Sequence, residues 1–502
     1  MYLIVIGVLS IVLTLSSPLY RWVTAPGWLM SAVAGATLLP SVVGVVVNRR
    51  VLRALDRHPE HPAGAQRSFG RGMALVQGLL GVCHAGVLLC TDWQPLCRQT
   101  PLVGGWPLAP GLLALLPFLL SIVLIWIVTY PADRAVRQVA LELYLIRGKP
   151  LRPVWALGQY VLYSLRHQVL FILVPMLLIL AARDVVERYE GAIRRATRQT
   201  YAPDMLVGLA ALLVAVIAPE ILRHVWVTQR LPDGPLRDRL TVLCRRLRLR
   251  CREILVWRSG GMLVNAAVMG VVAPLRYVLI TDGMLEQMDD TSIEAVFGHE
   301  AGHVKRHHIL YFLLFALVSG SAVAVFTVRS RGLSRPEFEL AATVVGALLL
   351  VKWGLLFGWV SRRFERQADV YGLRALALTG LPCTMPCALH APAGNPAPAP
   401  PSWSGDALCS TAAQVFGDAL HEVALLNGIQ PEARSWRHSS ISSRARFLQE
   451  LALDPRRTRR FERSVLAAKA AILVAALAGA LWAAAEMNVW GTVIGLLDML
   501  RR

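Results

Sequence analysis

Lysine is almost missing from this sequence. Of 52 basic residues only four are lysines, Lys149, Lys305, Lys352 and Lys469, which leaves 48 arginines. Acidic residues are scarce as well, 32 against those 52, so the formal charge is +20. Charged residues make up 17% of the 502 and hydrophobic ones 55%; mean hydropathy is +0.50. A soluble domain carries roughly a quarter charged residues, so this composition excludes one. Excess arginine admits nucleic acid as a partner, but no nucleic-acid module is legible and the arginines flank apolar runs. Positive-inside membrane anchoring accounts for them, and nucleic acid is not expected as a partner. Eight cysteines in this length make no disulfide framework. Cys383 and Cys387 lack the second pair that a zinc ribbon needs, and read as ordinary thiols.

What the chain has in abundance is long apolar runs. Residues 2–19 lack a basic leader and a small-residue cleavage site, so they read as a retained span. Further runs at 28–47, 73–90, 112–130, 161–182 and 205–222 bring the count before residue 226 to six, each near the ~20 residues that cross hydrocarbon. Runs at 309–328, 340–360 and 467–485 add three, whereas 489–500 is too short and reads as interfacial. The loop at 48–71 holds six arginines, and 131–160 is basic again. Both read as cytoplasmic, which puts everything after the sixth run inside. The loop at 183–204, with five arginines on the outer side, opposes that orientation.

From residue 227 the pattern changes. Glu253–Trp257, 262–269 and Tyr277–Thr281 are β-rich runs broken by Ser-Gly-Gly and Ala-Pro. Next comes His299-Glu300-Ala301-Gly302-His303. On a helix both histidines share a face and can hold one ion, and Glu300 is placed to take a proton from a water polarised by it. Thr291 and Glu294 read as a capping box that starts this helix, which is expected to run on unbroken into the seventh span. His307 and His308 then read as interfacial anchors. Arg306 and Ile309 stand where a metzincin has glycine and its third histidine, so the third ligand lies elsewhere. Glu365 and Asp369, in Ser-Arg-Arg-Phe-Glu-Arg-Gln-Ala-Asp, sit four apart on a later helix. Alone they read as a solvated face of ion pairs. Beside HEAGH, Glu365 reads as the third ligand and Asp369 as a carboxylate that orients a ligand imidazole. Two spans between the two stretches leave both on one side of the bilayer.

HEAGHVKRHH followed by SRRFERQAD resembles the membrane metallopeptidases that include HtpX and the type I CAAX prenyl proteases. Leu263-Val264-Asn265-Ala266 is similar to that family's Asn-Ala edge strand, and His438-Ser439-Ser440-Ile441-Ser442-Ser443-Arg444 to its downstream His-Pro…Arg element, with Ser439 in place of the proline. The resemblance runs from about 237 to 451. It implies a polytopic α-helical membrane protein with an inserted α+β, gluzincin-like metallopeptidase domain, one zinc per chain on His299, His303 and Glu365, and Glu300 as base. It further implies that His438 and Arg444 hold the oxyanion, and that Asn265 and Ala266 bind substrate. The expected domains are 1–226, a transmembrane region; 227–462, the peptidase domain interrupted by two spans; 381–406, a Pro/Ala-rich insertion; and 463–502, a last span and tail.

The expected function is that of an integral, multi-pass zinc endopeptidase of a bacterial-type inner membrane, with its catalytic domain cytoplasmic. Membrane proteins, or peptides held near the bilayer, are the expected substrates. A sensor-transducer of the beta-lactam-receptor type is the alternative. It needs an extracytoplasmic ligand-binding domain, and no stretch between these spans is long enough for one.

Overall fold

The structure is a computed structural model. It describes residues 22–57, 62–101, 106, 108–146, 154–197, 200–261, 263–386, 389, 405–433, 436–486, 489–491 and 494. The expected first span, most of the 381–406 insertion and most of the tail after 489 lie outside the described residues. Among the described residues, eight helices are long and apolar enough to cross a membrane, and they coincide with the second to ninth expected spans. The chain divides into two units, one of Met1–Arg195 with Ala202–Trp226, the other of Ala196–Tyr201 with Val227–Arg502.

The first unit holds the membrane-length helices Pro26–Arg57, Gly64–Cys90, Ala109–Gln138, Leu157–Arg188 and Ala202–Val225. The first three pack through Val47, Val51, Val76, Leu80, Ile122 and Trp126. Pro131 lies inside its helix, and the next amide, Ala132 N, donates to Asn48 Oδ1 at 2.8 Å. A side chain thus supplies an acceptor where the proline disturbs the ladder.

The second unit begins with β1 (Thr228–Arg230), α1 (Pro235–Arg246), β2 (Glu253–Trp257), β3 (Ala266–Met269) and β4 (Tyr277–Thr281). They form one sheet in the order β1-β2-β4-β3, with β2 and β4 parallel and both outer strands antiparallel. The β3 run is shorter than the 262–269 that the composition suggests. Its leading amides are satisfied by side chains: Ser259 Oγ accepts from Leu263 N, Asn427 Oδ1 from Val264 N and Thr281 Oγ1 from Asn265 N. The ladder therefore starts at Ala266, opposite Ile280.

After a short helix, α2 (Asp282–Gln287), comes α3 (Asp290–Lys305), which carries HEAGH. Its N-cap is Asp289, which accepts from Thr291 N and Ser292 N at 2.9 Å each. This replaces the capping box expected at Thr291 and Glu294. Glu294 is spent instead on Arg239, whose Nε and Nη2 each donate to it at 2.8 Å. Nor does α3 run unbroken into the membrane. His307 takes a left-handed φ of 57°, and α4 (His308–Arg329) starts anew.

The chain returns through α5 (Arg335–Val351) and a π-helical turn at Lys352–Phe357 into α6 (Gly358–Ala377). There follow α7 (Ser410–Leu426), α8 (Ile441–Leu453) and α9 (Pro455–Glu486). One apolar core, including Leu240, Val278, Phe297, Leu373, Phe416 and Leu448, joins the sheet to α1, α3, α6, α7 and α8.

Where α3 crosses α6, small residues meet. A Cβ on Gly298 would stand 3.1 Å from Gly372 Cα, and one on Gly302 would stand 3.0 Å from Ala368 Cα. Gly298 and Gly302 are four apart on one helix, Ala368 and Gly372 four apart on the other. Paired faces of this kind let helix backbones approach closely.

Candidate metal centre

That close crossing brings the two conspicuous stretches of sequence together. His299 and His303 project from one face of α3, with Nε2 atoms 3.2 Å apart. Glu365, one turn before Ala368–Gly372 on α6, offers Oε2 at 3.6 Å from His299 Nε2 and Oε1 at 3.7 Å from His303 Nε2. These three donors form a group able to hold one metal ion. For metal–ligand bonds of about 2.0–2.1 Å, a tetrahedral shell has edges of about 3.3 Å, so the observed spacings fit an ion with two imidazoles and one carboxylate. Nitrogen and oxygen donors of this kind suit zinc.

Asp369, one turn beyond Glu365, is fully buried. Its Oδ1 lies 2.9 Å from His299 Nδ1. Arg444, from the first turn of α8, donates to Asp369 through Nε at 2.8 Å and through Nη2, which is also 3.9 Å from Glu365 Oε2. Burial would lower the Arg444 pKa, but Asp369 outweighs it and raises it. With those two donors committed to Asp369, Arg444 sits behind the ligand helix.

His438 is half-exposed, its Nδ1 3.0 Å from Glu365 Oε2. Its loop is anchored by Trp436, whose Nε1 donates to Gly354 O and whose carbonyl accepts from Arg362, each at 2.6 Å. Ser439 takes a left-handed φ of 62°. A proline ring fixes φ near −65°, so this backbone could not carry the proline of the similar element.

Glu300 lies on the side of α3 toward β3, where it accepts a hydrogen bond from Val268 N–H. Burial pushes its carboxyl up to about 7, against the pull of His299. Burial would lower His299, but Asp369 and Glu365 outweigh it and lift His299 to about 10. His303 is pushed down to about 4 by burial, despite Glu365. Asn265 is exposed, with its backbone tied to Thr281 at 2.9 and 3.0 Å. Ala266 is buried at the start of β3, the strand at one end of the sheet.

Two residues here escape a reading by periodicity. His308 is completely buried, with Nδ1 3.0 Å from His303 Nδ1, and is no interfacial anchor. Gln367, 4% exposed, meets its other nitrogen at 3.0 Å. Five residues on an unbroken helix would turn His308 well away from His303, so no local pattern signals the pair.

Residues 250–426 match the model of peptidase family M48. Among curated proteins the chain is similar to a protease HtpX homolog of Archaeoglobus fulgidus, at 28% identity over 172 residues, 33% of this chain and 49% of that protein. One from Aeropyrum pernix is 28% identical over 195 residues, 37% and 60% of the two chains. One from Methanopyrus kandleri is 32% identical over 126 residues, 24% and 39%. The chain thus spans about half the length of the relatives it matches. Among solved structures, the crystal structure of Ste24p from S. mikatae aligns over 84% of this chain and 99% of that one, at 13% identity and a TM-score of 0.47.

Proposed function

We propose that this chain, whose residues 250–426 belong to peptidase family M48, is a membrane-integrated zinc endopeptidase. Its substrates would be membrane proteins or peptides held near the bilayer. The observation that carries the reading is the meeting of His299, His303 and Glu365 around one point, with Glu300 on the helix that carries the two histidines. Zinc held there supplies a Lewis acid for the scissile carbonyl and for the attacking water. Glu300 takes the proton of that water and returns it to the leaving amine. Asp369, braced by Arg444, keeps His299 turned toward the ion through Nδ1. His438 donates a hydrogen bond, and Arg444 adds positive charge, where the oxyanion develops. The outer edge of β3 offers backbone groups to an extended substrate, and exposed Asn265 meets its carbonyl beside Ala266. The peptidase domain extends over 227–462 and faces the cytoplasm, and α4, which follows the metal helix after the turn at His307, enters the bilayer. This explains why the substrate is expected at the membrane.

The test compares membranes of cells expressing the wild-type chain with those expressing Glu300→Gln. Proteins that accumulate uncut in the variant and are cut by the purified wild-type chain with zinc support the proposal. A purified wild-type chain that binds no zinc would sink it.

A further inference from the structure

The left-handed turn at His307 has a local effect on the ligands: it folds His308 back under His303. His308 stacks on Phe364, with ring centres 4.5 Å apart and planes 7° apart, and places Nδ1 3.0 Å from His303 Nδ1. Two facing ring nitrogens make a hydrogen bond only when one carries a proton and the other does not. Which one carries it is decided two contacts away, on α9.

Lys469 Nζ, which can only donate, lies 2.8 Å from Gln367 Oε1. Glu462 Oε2 accepts from Gln367 Nε2 at 2.7 Å. Together they fix the amide: its oxygen faces Lys469 and its nitrogen faces Glu462. The same oxygen lies 3.0 Å from His308 Nε2, so that nitrogen must carry a proton. With its proton on Nε2, the His308 imidazole presents a lone pair on Nδ1. His303 Nδ1 is then the donor, and His303 Nε2 keeps its lone pair for the ion. Lys469 is itself held from the other side by Arg306 O at 2.7 Å. Lys469 and Glu462 both lie beyond the residues 250–426 that match the family model.

We propose that His308 is a positioning residue that holds His303 in its metal-binding tautomer, itself oriented through Gln367 by Lys469 and Glu462 of the C-terminal span. The proposal rests on the zinc-peptidase reading for the identity of the ion. It makes α9 part of the construction of the metal site as well as a membrane anchor.

The experiment uses the full chain in detergent and measures zinc affinity by competition with a chelator, alongside thermal unfolding of the metal-free protein. His308→Phe keeps the stack on Phe364 and removes both nitrogens. It should weaken zinc binding about 10–100-fold, the usual effect of losing such a partner, while metal-free unfolding stays close to wild type. His308→Gln offers an oxygen to His303 and an N–H to Gln367, and should restore most of the affinity. Lys469→Met should weaken zinc several-fold although it touches no ligand, and it carries the test if His308→Phe does not fold. Wild-type affinity in His308→Phe or Lys469→Met overturns the proposal, as does a His308→Gln variant no better than His308→Phe. A wild-type chain that binds no zinc would instead bring down the reading on which this one rests.

Discussion

Gly298 and Gly372 face each other where the metal helix crosses α6. A Cβ on the first would stand 3.1 Å from the Cα of the second, and a Cβ on Gly372 would stand 2.8 Å from His299 N. Neither glycine can bind an ion, yet the crossing they permit decides whether Glu365 reaches the two histidines.

Gly372→Ala should therefore damage the site without touching a ligand. The added carbon also meets Phe416 at 2.5 Å, and overpacking of this kind costs about 1–3 kcal/mol. The strain is relieved by parting the helices, which draws Glu365 away. Zinc content should drop and the melting temperature should fall, with Gly372→Val worse in both. Full zinc and an unchanged melting temperature in Gly372→Val would contradict the crossing described above.

Zinc binding should depend on pH in a way set by His299. In the metal-free chain Asp369 and Glu365 overcome burial and raise it to about 10, whereas burial lowers His303 to about 4. Between pH 6 and 9 an incoming ion must displace one proton, from His299. The logarithm of zinc affinity should climb by about one per pH unit over that range, where unperturbed imidazoles would level off near pH 7. A plateau above pH 7.5 in a competition titration would count against it. The same shift bears on folding. A histidine raised above its usual 6.5 stabilises the metal-free chain fully below pH 6.5 and loses that contribution as pH rises toward 10. Metal-free protein should thus melt earlier at pH 9.5 than at pH 6.5.

Glu300→Gln should keep zinc and lose about 10²–10⁴-fold in peptidase rate, the usual contribution of a general base. His299→Ala, His303→Ala or Glu365→Ala should lose both zinc and activity. Glu300 stands at about 7 without metal, and a nearby cation lowers it, so the acid limb of the rate profile should fall below pH 7. An acid limb unchanged in Glu300→Gln with substantial activity remaining would remove Glu300 from the reaction.

Asp369→Ala should lose more than the orientation of an imidazole. Zinc affinity should fall about 10–100-fold. The buried Arg444 guanidinium is also left without its carboxylate, and breaking a buried pair on one side costs about 3–5 kcal/mol. Asp369→Leu combined with Arg444→Met should recover much of the stability and none of the zinc affinity. If chemical denaturation shows the double variant no more stable than Asp369→Ala, the pair is not the source of the loss.

Several features follow from the chain alone, because they depend on spacing along it. A four-residue interval puts His299 and His303 on one face of any helix that contains them, and Glu365 and Asp369 likewise. Apolar runs of membrane length announce themselves by composition, and eight of the nine expected here coincide with membrane-length helices. Tertiary structure decided the rest, since it depends on where separate pieces of chain touch. Asp289 caps the metal helix in place of Thr291, because Glu294 is taken by Arg239 from α1. Arg444 lies against Asp369 because α8 packs behind α6. His308 reaches His303 because a single residue, His307, leaves the helical backbone for φ 57°. A local period describes an unbroken helix well, but it is silent on the one residue that ends it and on which second helix is small enough to lie alongside.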